Sequence, residues 1–198
     1  MANTDTPFGF KPVGHLLGAS WSGKANVYYV PSTNAAILGK GDLVKSTGSA
    51  DATGKYPGVV RAAAGEVARG VVIGFGDNPN VMTHPDNPNR DYLPISTESY
   101  VLVIDDPWVI FEIQEDSVAN NMDADMLGLQ VDIATVADAS TTTGKSTTEI
   151  DSSDTATALG QLKLLRVANR EDNALGAHCK WEVLIVEHEM NLAYTTDI

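Results

Sequence analysis

Turn-forming residues interrupt this chain so often that no long regular element fits between them. VYYV at 27–30 ends at Pro31, LVK at 43–45 follows Gly41-Asp42, and Val59-Val60 follow Pro57-Gly58. GVVIGF at 70–75 closes on Gly76-Asp77-Asn78-Pro79, and YVLVI at 100–104 runs into Asp105-Asp106-Pro107. Glycine and proline punctuate these stretches because they supply the φ values that turns need and interrupt regular hydrogen-bond ladders. The stretches are rich in Val, Ile, Tyr and Phe, which suit a pleated surface. At 109–114, Val109, Phe111 and Ile113 alternate with Ile110, Glu112 and Gln114, the period-two signature of a strand with one buried face. Segments at 129–136, 162–167 and 181–186 complete the set. Many short strands at this spacing predict an all-β fold, a β-sandwich or jelly roll or a small β-barrel.

Helix is limited to one short element. Asp116 or Ser117 is placed to cap a helix running through Met126, with Gly128 as its stop. Asn120 and Asn121 are poor helix formers and hold it to two or three turns. The stretch 62–68 is broken by Gly65 and reads as a turn between strands.

The 198 residues suit one domain with an arm and an insertion, and 43% hydrophobic residues suffice for a core. Residues 1–20 carry Pro7, Gly9, Pro12, Gly14 and Gly18 and predict an extended N-terminal arm. Residues 21–198 form a single β-rich domain. Within it, 77–91 is a Pro/Asn/Asp loop, and 137–158, dominated by Ser, Thr, Asp and Ala, reads as an exposed loop or polar hairpin.

Charge narrows the partners. Twenty-six acidic residues against 13 basic ones leave a net charge of −13. Such a surface repels phosphate backbones and anionic lipid, so neither nucleic acid nor membrane is an expected partner. Cys179 is the only cysteine, which excludes an intrachain disulfide and suits a cytoplasm-like compartment. The opening MANTDTPFGF lacks the basic and apolar regions of a signal peptide, and the apolar runs are too short for a membrane helix.

Candidate chemistry is sparse. ASTTTGKS at 139–146 fits a relaxed phosphate-loop pattern with Ala139 in place of the first glycine. A working phosphate loop leads into a buried helix, whereas Lys145 and Ser146 lead into the polar run TTEIDSSD. His15, His84, His178 and His188 have no zinc-type spacing, and His178 beside Cys179 faces the opposite side of any strand. Asp77, Asn78, Asp86, Asn87 and Asp91 offer oxygen ligands for calcium without the spacing of a helix-loop-helix site. The expectation is therefore a non-enzyme with no catalytic, cofactor or metal residues. Trp21, Tyr28, Tyr29 and Trp181 are dispersed and read as core or interface, while Trp108, between a turn and an alternating strand, is expected to be exposed.

Several of these segments resemble a known group. PFGFKPV at 7–13 is similar to the N-terminus of tailed-bacteriophage head proteins. GDLVK at 41–45, the glycine-spaced stretches through 58–60 and 65–75, and DDPWVIFEIQED at 105–116 resemble phage capsid decoration, or cement, proteins. The resemblance implies a virion protein assembled in the host cytoplasm that binds the capsid exterior. Its partners would be the major capsid protein and copies of itself, as a dimer or trimer. Phe8, Phe10, Pro12 and Trp108 are the expected interface residues, with the arm ordering on a capsid or sister subunit. The alternatives are another virion part, such as a tail or tail-tube subunit, and a carbohydrate-binding β-sandwich module.

Overall fold

The computed structural model describes residues 3–80, 90–118, 121–134, 136–153 and 159–191. It is an all-β protein with a closed barrel packed against an open sheet. Among the described residues, no helix is long and apolar enough to cross a membrane.

Five strands close the barrel: β2 (Asn26–Val30), β4 (Leu43–Ala50), β5 (Pro57–Arg61), β6 (Gly70–Gly76) and β8 (Ser99–Ile104). Their order is β2-β5-β4-β6-β8, antiparallel at every neighbour except β2 and β5, which run parallel and meet at one pair, Tyr29 and Gly58. The open sheet has the order β1-β9-β12-β11-β10. It comprises β1 (Lys11–His15), β9 (Val109–Gln114), β10 (Gln130–Val131), β11 (Leu162–Val167) and β12 (Lys180–Ile185). A two-stranded ladder, β3 (Leu38–Gly39) with β7 (Tyr92–Leu93), completes the strands.

Two cores explain why the apolar runs are continuous where strands usually alternate. Tyr28, Val30, Val44, Val59, Val72, Val101 and Val103 fill the barrel, with Leu38, Phe75 and Leu93. The neighbours Leu43, Val71 and Ile104 point outward and join Phe111, Ile113, Leu162, Leu164, Trp181 and Val183 in a second, larger core. Side chains on a strand alternate faces, so a strand between two cores must be apolar on both. Gln161, fully buried, stitches the layers: its Nε2 donates to the Ala63 and Glu66 carbonyls, and its Oε1 accepts from Ile133 N–H.

Four expectations need correction. The arm is not free, because residues 11–15 form edge strand β1 against β9. Pro12 is tolerated there because an edge strand has one unpaired side, and the register shifts between Pro12 and Gly14. The expected helix shrinks to a single 3₁₀ turn, Ala124–Met126, capped by Asp123; Met122 is drawn into the core instead. Strand β9 is buried on both faces, since Glu112 and Gln114 are buried along with Phe111. Finally, 137–153 matches the expected exposed loop only in its first part, where Ala137, Asp138, Thr141, Thr142, Thr143 and Lys145 are exposed around a turn closed by Ser140 and Lys145. From Ser146 to Ser152 every second residue is buried, and the segment crosses the body as a strap bridged to Lys40, Glu115 and Ile133. Residues 154–158 of that stretch lie outside the described residues.

Candidate functional site

Expected interface residues separate into two groups. Phe10 is only 2% exposed and packs edge-on against Phe111, ring centroids 5.9 Å apart. It is therefore core of its own chain, and the expectation that it waits for a partner is replaced by an intramolecular dock. Phe8 and Pro12 are half-buried. The arm crosses the barrel lip where Gly9 meets Ser146 and Gly41, with Phe10 N–H donating to the Gly41 carbonyl at 2.9 Å. Both glycines have positive φ, 69° and 95°, and a Cβ on Gly41 would lie 2.7 Å from the Phe8 carbonyl, so other residues are excluded on two counts.

Trp108 belongs to the other group: it is 52% exposed. The turn preceding β9 lifts it, with Asp106 Oδ1 accepting its N–H at 2.9 Å. Its carbonyl accepts from Leu16 N–H, which brings the tip of β1 alongside. Val13, Leu16, Leu17 and Met190 are also exposed, Leu17 by 80%. A cleft of about 300 Å³ runs between Trp108 and Met190 over Leu184 and Val186. Large apolar side chains are thus exposed together along one sheet edge, the kind of patch on which association surfaces are commonly built.

The remaining polar residues are mostly structural. Asp105 accepts from Tyr28 Oη at 2.6 Å and from Asn26 Nδ2, with Arg69 3.8 Å away. Burial first, and then the bond to Asp105, push the Tyr28 hydroxyl up to about 12. Glu115, fully buried, accepts from Trp181 Nε1, Met122 N–H and Ser117 Oγ. Asp42, also fully buried, accepts from Gly39 N–H at 2.7 Å and shares hydrogen bonds with Ser146 and Thr148; burial raises its carboxyl to about 6. Cys179 is buried and its thiol is pushed up to about 12, chiefly by burial, so it is not a thiolate near neutrality.

The phosphate-loop lookalike is occupied with itself. Gly144 N–H donates to the Ser140 carbonyl, Ser140 N–H to the Lys145 carbonyl and Thr143 N–H to Ser140 Oγ. Ser146 N–H goes to the Lys40 carbonyl. Those donors are the ones that a phosphate would need. Of the calcium candidates, Asp77 pairs with Arg90 and Asp91 with Lys40, each at 3.3 Å; Asp86 and Asn87, with His84, lie outside the described residues.

One grouping has no counterpart in the sequence reading. Donor atoms of Asp5, Glu149 and His178 lie within 4.8 Å of one another. Gln114, fully buried, donates through Nε2 to Asp5 Oδ1 at 3.2 Å and to Glu149 Oε1 at 2.9 Å. Its Oε1 accepts from Thr6 N–H, which fixes the amide's orientation. Burial, then the Asp5 and Asp116 charges, push the Glu149 carboxyl up to about 7 against the opposing effects of Gln114 and His178. Positions 5, 114, 149 and 178 come from four separate stretches, so no spacing rule could have joined them.

Comparison with protein-family models, with curated proteins and with solved structures gives no match for this chain.

Proposed function

We propose that this chain is a non-catalytic virion structural protein, a capsid decoration subunit that docks on the major capsid lattice. The observation that carries the reading is the apolar edge of Trp108, Leu16, Leu17 and Met190 on a chain of net charge −13. Burying such side chains contributes about 25 cal/mol per Å² of apolar surface, and the acidic remainder disfavours unspecific contact with the packaged genome. The likeness of the 7–13, 41–45 and 105–116 segments to cement proteins supports the same role.

The docked arm changes the mechanism. Phe10 stabilises the subunit itself, and partner contact moves to Trp108 and the β1 tip. Repetition over many copies would turn a modest contact into firm attachment, because each further contact on a linked lattice is made at high effective concentration.

The test is copy number and position in a purified particle, with Trp108→Ser/Leu17→Ser alongside the natural chain. The natural protein is expected on the capsid exterior and the double variant at reduced occupancy. A tail location by electron microscopy would replace the head assignment. Glycan-array binding lost with Trp108 would replace it with carbohydrate recognition.

A further inference from the structure

The Asp5, Glu149 and His178 grouping is built, not incidental. Two carboxylates are held side by side by one buried amide, that of Gln114, an arrangement that concentrates negative charge. Among the described residues, neither carboxylate is ion-paired with a lysine or arginine. The imidazole completes the set: His178 Nδ1 is 3.8 Å from Asp5 Oδ1, shielded from solvent, and has no hydrogen-bond partner among the described residues. A buried ring nitrogen facing two carboxylates without a bond of its own is poorly satisfied, and a cation among them would satisfy all three.

We propose that Asp5, Glu149 and His178 bind a divalent transition-metal ion of the zinc type, which latches the N-terminal segment to the body of the protein. One imidazole nitrogen and two carboxylate oxygens are ligands that zinc accepts, leaving a fourth position for water. Bonds of about 2.0–2.1 Å place tetrahedral ligands roughly 3.3 Å apart. Reaching that from 4.8 Å requires mainly a turn of Asp5, whose side chain is 62% exposed. The ion would reinforce an existing contact, since Asn3 Nδ2 already donates to the Ala174 and Ala177 carbonyls at 2.8 Å and Ala174 N–H donates to Asn3 Oδ1. It thereby joins the chain start, the strap and the 171–179 loop at one atom.

Zinc chloride titrated calorimetrically into the EDTA-stripped full chain is expected to bind at one ion per chain. Asp5→Asn and His178→Ala should each weaken that binding by at least about 10-fold. Zinc should also slow amide exchange at residues 3–6, and cobalt(II) should give a visible ligand-field spectrum lost in His178→Ala. Equal affinity in all three proteins would mean diffuse attraction to an acidic surface and would overturn the proposal, as would no stoichiometric uptake. Asp5→Asn alters an exposed side chain, so it carries the test even if His178→Ala does not fold.

Discussion

The barrel and the open sheet solve the same problem differently. The barrel closes on itself, so it has no free edge, and its interior is almost entirely aliphatic and aromatic. The open sheet is bounded by the short strand β10 and by β1, borrowed from the N-terminus. Its outer face carries Glu112 and Gln114, each with a partner: Arg170 for Glu112, and Asp5 with Glu149 for Gln114. The exposed apolar edge around Trp108 and the Asp5, Glu149 and His178 grouping therefore both lie on the side of the sheet, where surface is left over.

Four experiments break or sharpen that contrast. Val103→Asp places an unpaired charge inside the barrel, where the residue is fully buried. It is expected to abolish folding, read as loss of the β-type circular dichroism spectrum. Retained cooperative melting would mean that the barrel interior is less closed than its pairing implies. Deleting residues 1–12 removes Phe10 and part of β1 and should lower stability by about 3–5 kcal/mol, the usual cost of a lost core phenylalanine. Hydrogen exchange should then rise in β9 and β12 while β6 and β8 stay protected; simultaneous loss in both layers would make them one cooperative unit.

Asp42→Asn tests the joint between arm, barrel lip and strap. The folded carboxyl titrates at about 6, above the ordinary 3.8, so the folded state holds its proton more tightly than the unfolded chain. The stability from that proton is complete below pH 3.8 and is lost as pH rises through about 6. Urea midpoints at pH 4 and pH 7 should shift in favour of the variant by roughly 2 kcal/mol at the higher pH. A pH-independent difference would show that Asp42 stays ionised throughout. Trp108→Ser should be the mildest, within about 0.5 kcal/mol of the natural chain in melting, because the ring supports no core. A large drop would assign Trp108 to packing and remove it from the proposed docking surface.

How much of this was readable follows from what side chains advertise. The strands at 70–76, 99–104 and 109–114 announce themselves because bulky β-branched runs end at Gly, Pro and Asp. The strap does not. Ser146, Thr148 and Ser152 are buried, yet small hydroxyl residues look like loop by composition, and Ile150 is the one apolar residue in phase with them. β1 was hidden by Pro12 and Gly14, which an edge position tolerates. Trp108 was legible because a large ring directly after Asp-Asp-Pro has little around it to cover it. Phe10 was not, because burial depended on Gly9 and Gly41 approaching across the lip. The Asp5, Glu149 and His178 grouping depends wholly on tertiary folding.

The meeting of Tyr29 with Gly58 carries a mechanical consequence. Every other junction around the cylinder is laced at two or more positions, so this one is its parting line. Pulled apart there, the cylinder would unroll into a curved ribbon with β2 and β5 as its raw margins, each offering unclaimed backbone donors and acceptors. Under load, that parting line would give way before the laced joints did.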